Sequence, residues 1–154
     1  MLEISMRLVL FQPDIPGNAG ALLRLGACLG VPVDIVEPCG FVFSDAQMRR
    51  AGMDYLAQAN FVRHASWAAF LAQHGHGRLV LLTSKAALSY TDFAFAADDS
   101  IVLGRESAGA PDFVHDRADA RLRIPLKSGL RSINVAQAGA MVLGEALRQT
   151  GMFP

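Results

Sequence analysis

Short apolar segments alternate with helix-like segments along this chain, and no other feature of the sequence restricts the fold as strongly. The apolar segments are predicted to be buried strands, at 7–11, 31–36, 60–64, 79–83, 100–103 and 122–126. Leucine spacing or capping residues predict helices at 18–29, 45–50, 67–73 and 134–149, with Asn18 and Asp45 as N-caps. This alternation predicts an α/β fold in which helices flank a mostly parallel sheet.

The length and composition agree with a single folded unit. At 154 residues, of which 52% are hydrophobic and 18% charged, residues 1–154 are expected to form one domain with its own core. No apolar stretch approaches the roughly 20 residues that a membrane span needs, and no secretory leader is recognisable at residues 1–7. The sequence therefore predicts a cytoplasmic protein without membrane contacts.

Three loops rich in glycine and polar residues follow predicted strands, at 13–24, 103–111 and 124–135. In open α/β sheets, ligands bind where the carboxyl ends of the strands meet. Each loop also has a purely structural explanation, because Asn18 can cap a helix, Arg24 can be a surface cation and Gly104 can serve only a turn. The functional interpretation depends on all three loops meeting at one edge.

Several common active-site patterns are absent from the sequence. It contains no Walker loop, no GxGxxG opening a helix and no GxSxG elbow, and Ser107 has no evident histidine partner nearby. Cys28 and Cys39 match no metal spacing, and His74 and His76 lack ligand partners close in sequence. Nucleotide hydrolysis and serine hydrolase chemistry are therefore disfavoured, and no metal is predicted.

The charges are balanced in number but unevenly distributed. Fourteen Lys and Arg balance 14 Asp and Glu, so the whole chain is not a polycation that attracts nucleic acid in bulk. Residues 120–144 nevertheless contain four cations and no acid. We predict RNA-binding contacts within this basic segment and within a second basic group, from Arg49, Arg50, Arg63 and Arg131. A solvated charged surface is the structural alternative.

Five motifs, taken in order, resemble the SPOUT methyltransferases, and most closely the small tRNA (cytidine/uridine-2′-O)-methyltransferases that act at the anticodon wobble nucleotide. The motifs are Pro13-Asp-Ile-Pro-Gly-Asn-Ala-Gly with Arg24, Ile35-Val-Glu-Pro-Cys-Gly-Phe41, Arg49-Arg-Ala-Gly-Met-Asp-Tyr55, Gly104-Arg-Glu-Ser with Gly109, and Ile124-Pro with Arg131-Ser-Ile-Asn134. The resemblance covers nearly the whole chain. It implies a single SPOUT domain whose carboxyl-terminal segment forms a deep trefoil knot.

The resemblance also implies S-adenosylmethionine as the methyl donor, held bent in the knot. The implied cofactor-binding residues are Leu82, Thr83, Gly104, Glu106, Ile124, Ser132 and Ile133. Leu82 and Ile124 are expected to form an apolar slot for the purine. Gly104 is expected to let the cofactor press against the backbone, where a Cβ would not fit.

The implied catalytic residues are Arg24, Asn18, Ser132 and Asn134. Because a guanidinium does not readily lose a proton, we interpret Arg24 as an electrostatic stabiliser of the developing alkoxide and a clamp on the adjacent phosphate. A role as general base is the alternative, and the sequence leaves it open. Ser132 and Asn134 are expected to hold the ribose or the cofactor carboxylate by hydrogen bonds.

Two partners are implied, tRNA bound at its anticodon stem-loop and a second copy of this chain. A neutral chain must gather its cations to bind RNA. We therefore expect a homodimer to join Arg49, Arg50 and Arg63 of one subunit to the basic stretch of residues 121–131 from the other.

Departures from the family pattern lie mainly in the second motif. In relatives it often reads Gly-Pro-Glu-Ser/Thr-Arg-Gly-Leu-Pro, whereas Arg105, Ala108 and Ala110 stand here at the proline, arginine and leucine. Gly144 stands where some relatives carry an aromatic residue in the last helix. A phosphate or cofactor contact at 108, and a dimer or RNA contact at 144, are therefore expected to differ from those of relatives.

Three rival functions remain from the sequence. The first is 2′-O-methylation of another RNA, either ribosomal RNA or a different tRNA nucleotide. The second is a non-catalytic knotted RNA-binding protein, which the intact set of implied catalytic residues argues against. The third is a flavodoxin-like small-molecule binder, which the α/β pattern permits and the loops do not support.

Overall fold

A computed structural model describes residues 5–42, 44, 46 and 59–154. Within these residues, one sheet contains β1 Arg7–Phe11, β2 Val33–Val36, β3 Phe61–His64, β4 Leu79–Leu82, β5 Leu88–Ser89, β6 Ser100–Leu103 and β7 Ala120–Arg123. The helices are α1 Pro16–Leu29, α2 Trp67–Gln73, α3 Asp112–Arg117 and α4 Val135–Thr150, with a 3₁₀ turn at Tyr90–Asp92.

The sheet is parallel throughout, with the strand order β3-β2-β1-β6-β4-β7-β5. This confirms the predicted α/β fold with its parallel sheet. Because all the strands point the same way, the loops after β1, β4, β6 and β7 leave the same edge of the sheet. Strand order departs from chain order here, since β6 lies between β1 and β4, and β7 lies beyond β4.

Apolar residues cover both faces of the sheet, as expected for strands buried on two sides. Successive side chains of a strand point to opposite faces. Leu8 and Leu10 of β1 therefore join a core with α1 and α4. Val9 and Phe11 join a second core with α2 and α3. The loops at the carboxyl edge are thus supported by packed side chains on both faces.

Helix α1 begins at Pro16, two residues earlier than predicted, and Ile15 occupies the N-cap position without a side-chain bond. The prediction that Asn18 caps this helix is therefore wrong. Proline at the first helical position costs no hydrogen bond, because that N–H has no partner within the helix. The helix ends at Leu29 and is capped by Gly30, whose φ of 68° is left-handed. The Asn18 side chain is left to make contacts outside the helix.

Helix α4 packs closely on α1 and β6. A Cβ added to Gly139 would lie 2.8 Å from Cδ2 of Leu22 and 2.9 Å from Cδ1 of Leu103. The Asn134 side chain caps α4 by accepting from the backbone N–H groups of Ala136 and Gln137, at 2.8 and 3.2 Å. The end of β6 and the start of α4 are therefore held in one position relative to α1.

Some element bounds differ from the prediction. The strand predicted at 122–126 is observed as β7 and ends at Arg123, two residues before Pro125, which has no N–H to donate to a ladder. The sequence prediction missed β5, which is two residues long, and α3, which is six residues long. The helix predicted at 45–50 lies outside the described residues.

A polar cluster is buried at the opposite, amino-terminal edge of the sheet. Asp34 accepts from Nε of Arg7 at 2.6 Å and lies 2.8 Å from Nε2 of His64. These groups line a cavity of about 450 Å³. The charges of Arg7 and Asp34 are paired with each other, and His64 gives the buried carboxylate a second polar partner. None of the described helices has the length and apolar character to cross a membrane.

Candidate active site

A cleft of about 700 Å³ lies at the carboxyl edge of the sheet, between the loops that follow β1, β4, β6 and β7. Its volume lies within the range of small-molecule sites, roughly 300–1,000 Å³. Most of the residues predicted for the site line it, namely Asn18, Leu82, Thr83, Gly104, Glu106, Ile124, Arg131, Ser132, Ile133 and Asn134. The three loops selected in the sequence therefore meet as predicted.

The other predicted residues lie elsewhere or outside the described part of the chain. Arg24 is exposed on α1 and does not line the cleft of its own chain. Arg63 lies on the edge strand β3 and forms an ion pair with Glu37. Arg49 and Arg50 lie outside the described residues. A single chain thus brings together the predicted cofactor-binding residues, but it does not bring the predicted catalytic residue Arg24 to them.

Hydrogen bonds link the three loops through the side chains of Asn134, Asn18 and Glu106. Nδ2 of Asn134 donates to Oδ1 of Asn18 at 3.0 Å, and Nδ2 of Asn18 donates to Oε1 of Glu106 at 3.4 Å. The direction of these bonds is fixed, because Oδ1 of Asn134 already accepts two backbone N–H groups of α4. Asn134 must therefore donate to Asn18, and Asn18 must donate to Glu106.

Glu106 and Asp14 form a reciprocal pair between the loops after β6 and β1. The backbone N–H of Asp14 donates to Oε2 of Glu106 at 3.0 Å, and the N–H of Glu106 donates to Oδ1 of Asp14 at 3.2 Å. Burial first, and then the bond to the Asp14 carboxyl, raise the pKa of Glu106. The pKa of Asp14 is lowered, chiefly by its bond with the Glu106 carboxyl. Asp14 therefore holds its negative charge to lower pH than Glu106 does.

Asp14 was not predicted as a site residue, although the sequence contained a signal for it. It follows β1 by three residues, and Glu106 follows β6 by three residues. The two strands are neighbours, with Leu10 opposite Leu103. Equivalent positions after adjacent parallel strands lie close together, but strand adjacency could not be derived from the sequence pattern.

Gly104 is required by the chain itself. A Cβ at this position would lie 2.7 Å from the backbone N of Ala110 and 2.8 Å from the carbonyl carbon of Gly109. Residues 105–109 form a turn that is closed by an isolated bridge between Arg105 and Gly109. This turn brings the backbone of Gly109 and Ala110 back against Gly104. The glycine is therefore needed for the shape of this turn itself, and the close approach of a cofactor to its backbone stays a prediction.

The other side of the cleft combines an apolar wall with a hydroxyl. Leu82 and Ile124 are half-buried at the ends of the neighbouring strands β4 and β7. Oγ1 of Thr83 lies 3.0 Å from Nε2 of His115. Nδ1 of His115 lies 3.3 Å from the carbonyl of Pro111, an acceptor, so a neutral ring receives the Thr83 proton at Nε2. His115 is a cleft residue that the sequence prediction missed.

The rim of the cleft is cationic. Among its described residues, Glu106 is the single acid, and the cations are Lys85, Arg105, Arg123, Lys127 and Arg131. Four of these side chains are exposed, Arg105 being half-buried. Within the described part of the chain, no cluster of His, Cys, Asp or Glu could hold a metal ion. The cleft therefore suits an anionic partner at its mouth and a mostly uncharged ligand inside.

Comparison with known proteins defines the class. Residues 5–144 match the SpoU rRNA Methylase family, and the chain belongs to this family. It is 57% identical to a tRNA (cytidine(34)-2′-O)-methyltransferase of Ancylobacter novellus, over 97% of this chain and 96% of that protein. It is 60% identical to the protein of the same description from Beijerinckia indica subsp. indica, over 94% and 91% of the two chains.

Solved structures agree with this assignment. One structure, described as giving insights into 2-OH methylation of C/U34 on tRNA, is 36% identical, with a TM-score of 0.89 over 94% of this chain and 95% of that chain. An AdoMet-bound rRNA methyltransferase from Sinorhizobium meliloti shares the fold at 24% identity. Its TM-score is 0.84, over 96% of this chain and 57% of that chain.

Proposed function

We propose that this protein is a tRNA 2′-O-methyltransferase that methylates the ribose of nucleotide 34, a cytidine or uridine, with S-adenosylmethionine as donor. One observation carries the proposal: the hydrogen-bonded side chains of Asn134, Asn18 and Glu106 meet beside the apolar wall of Leu82 and Ile124 in one cleft. Relatives that share nearly the whole chain support the reaction and the position. Since tRNA is the substrate, we place the reaction in the cytoplasm.

The residues lining the cleft fit S-adenosylmethionine. Leu82 and Ile124 offer an apolar surface for adenine, with Thr83 and Ile133 beside it, and Ser132 and the backbone near Gly104 offer polar groups. Glu106, the single acid among the described lining residues, suits a cationic sulfonium. When bound, the cofactor supplies an electrophilic methyl group.

The chain's own residues then orient the ribose and stabilise its oxygen. Asn18, Ser132 and Asn134 hold the sugar by hydrogen bonds, which supplies rate through positioning. Transfer of the methyl group to the 2′-oxygen would release the hydroxyl proton to solvent water and would leave the neutral thioether S-adenosylhomocysteine. Arg24 stabilises the negative charge that develops on that oxygen and binds the adjacent phosphate, because a guanidinium cannot serve as a ready proton acceptor.

We further propose that the active form is a homodimer in which Arg24 of one subunit completes the cleft of the other. Arg24 lies six residues beyond Asn18, about 9 Å along α1 and roughly 120° around its axis. It therefore faces away from the cleft of its own chain. Helices α1 and α4 pack on the same face of the sheet. The small or apolar exposed residues at the start of α1 and on α4 suit helix contacts with a second copy: Ile15, Gly17, Ala21, Ala140 and Met141.

A trefoil knot belongs to this proposal. The chain passes from β6 to β7 across β4, and segment 124–134 then returns beside the loop after β4 to start α4. This crossing supports the proposal that the carboxyl-terminal segment threads through a loop. Knots of this kind are almost absent among other proteins. The fold likeness to SpoU-family structures supports it as well.

The decisive experiment combines cofactor binding with product mapping. We expect the purified protein to bind S-adenosylhomocysteine in isothermal titration and to transfer labelled methyl to an unmodified tRNA transcript. Nuclease mapping should place the label on the ribose of nucleotide 34, and a transcript already methylated there should accept none. Label on ribosomal RNA or another tRNA nucleotide would favour the first rival. Cofactor binding without transfer would favour a non-catalytic role.

The cationic rim gives a separate prediction about RNA binding. Neutralising Lys127 and Arg131 together, both to Gln, should weaken tRNA binding and lower the slope of log Kd against log salt by about 1 for each phosphate that is no longer neutralised. The matched control neutralises Arg117 and Arg148, which do not line the cleft. Electrophoretic titration at several salt concentrations measures both. Equal slopes in the two double variants would contradict the assignment.

A further inference from the structure

Asp14 joins two loops of the cleft region through both its backbone and its side chain. Its Oδ1 accepts from the N–H of Glu106 at 3.2 Å, its Oδ2 accepts from the Ser107 hydroxyl, and its own N–H donates to Oε2 of Glu106 at 3.0 Å. Positions 14 and 106 are 92 residues apart in sequence. One residue therefore fastens the loop after β1 to the loop after β6.

The backbone holds Asp14 against this partner from behind. Gly40, in the loop after β2, donates its N–H to the carbonyl of Pro13 at 3.0 Å. A Cβ on Gly40 would lie 2.5 Å from Cβ and 2.8 Å from Cα of Asp14. Gln12 adopts a φ of 45°, a left-handed conformation that is costly for a residue other than glycine. Contacts with the loops after β2 and β6, together with the left-handed backbone at Gln12, therefore hold Asp14 in one position.

The consequence is the orientation of Glu106. Its two carboxylate oxygens have different donors, since Oε2 accepts from Asp14 and Oε1 accepts from Asn18. The N–H of Asp14 would still reach Oε2 of Glu106 if the Asp14 side chain were removed. The turn that carries Glu106 would, however, lose the acceptor of the Glu106 N–H and of the Ser107 hydroxyl, and it could then shift. Asn18, which stands at the mouth of the cleft, would then lose its fixed acceptor.

We propose that Asp14 is a positioning residue for the methyl transfer: it holds Glu106 so that the Asn18 amide is aimed at the ribose. This inference rests on the proposed 2′-O-methyltransferase function. Asp14 itself does not line the cleft, so it acts through Glu106 and not by touching substrate. A misplacement on the order of 1 Å at such a site can cost about 10²-fold in rate.

The test compares Asp14→Ala with the near-isosteric Asp14→Asn in the full-length enzyme. We expect Asp14→Ala to lower kcat by between about 10- and 10²-fold while the KM for tRNA changes little. Asn keeps one oxygen for the N–H of Glu106, so Asp14→Asn should recover part of kcat. Exposed Asp116 on α3 provides the control, and Asp116→Asn should leave kcat unchanged.

The pH profile distinguishes positioning from a merely structural role. The Asp14 carboxyl raises the pKa of Glu106, and an ionised Glu106 accepts the bonds from Asn18 and Asp14 more strongly than a protonated one does. Removing that carboxyl lowers the pKa of Glu106, so the acid limb of kcat should move to lower pH in Asp14→Asn but not in Asp116→Asn. If Asp14→Asn keeps both the wild-type kcat and the wild-type acid limb, the inference is wrong.

These outcomes are separable from failure of the proposed function. If the wild-type enzyme does not methylate nucleotide 34, the proposed function itself fails. If the wild-type enzyme is active and Asp14→Ala does not fold, Asp14→Asn decides, because it changes one atom and keeps the side-chain shape. A lower Tm with unchanged kcat and acid limb would reduce Asp14 to a structural role and overturn the proposal.

Discussion

Arg24→Ala is expected to lower the methylation rate by at least about 10²-fold, the loss seen when one preorganised stabiliser of a developing oxyanion is removed. The affinity for S-adenosylhomocysteine should stay nearly intact, because the proposed contacts of Arg24 are with the ribose oxygen and the adjacent phosphate of the RNA and not with the cofactor. Single-turnover kinetics with unmodified tRNA and isothermal titration measure the two quantities. Arg24→Lys keeps the charge but not the planar fork and should recover only part of the rate.

Subunit mixing tests where Arg24 acts. Arg24→Ala and Asn134→Ala are each expected to be nearly inactive as homodimers. If Arg24 completes the partner's cleft, a heterodimer of the two variants contains one wild-type site, and co-refolded mixtures should recover activity. If Arg24 acts within its own chain, every site in the heterodimer carries a defect. Activity that stays at the level of the separate variants would therefore refute the shared site, and full activity of Arg24→Ala alone would refute its catalytic role.

The inner strands of the sheet could be predicted from the sequence because they are apolar on both faces and each is followed by a change of composition. β4 and β6 are such strands, and both lie where predicted within one residue. The pattern could not give α3 or β5, because six- and two-residue elements contain too few positions for periodicity. Strand order depends on which surfaces pack, and no local pattern records it.

The sequence could predict those site residues that lie in or next to the polar loops after predicted strands. Asn18, Glu106 and Asn134 were selected this way and do meet. Asp14 was missed because its importance comes from contact with a loop 92 residues away. The role of Asn18 was misassigned at the local level, since a polar residue before an apolar helix resembles a cap. Tertiary contacts, and not local propensity, decided what that amide does.

Asn134→Asp is expected to separate the capping function of Asn134 from its contact with Asn18. Aspartate caps a helix as well as asparagine, and its charge near the N-terminus of α4 is favourable by about 0.3–1 kcal/mol. The Tm should therefore stay close to wild type, whereas Asn134→Ala should lose about 0.5–2 kcal/mol of stability. Methyl transfer should nevertheless fall by about 10-fold or more, because an ionised aspartate at this position has no proton to donate to Asn18. Thermal unfolding and single-turnover kinetics measure the two effects.

The direction of the hydrogen bonds makes this defect hard to repair by local adjustment. If Asn18 rotates its amide so that Nδ2 donates to an aspartate at position 134, its Oδ1 then faces Oε1 of Glu106. Two acceptors still oppose each other, now between Asn18 and Glu106. Glu106→Gln creates the opposite conflict, because one of its atoms becomes a donor facing the donor of Asn18 or the N–H of Asp14. Combined, the two substitutions reverse every side-chain bond and leave none unmatched. We therefore expect a double-mutant cycle on unfolding free energy to show favourable coupling of about 0.5–3 kcal/mol; additive effects would mean that the three side chains do not form one directed network.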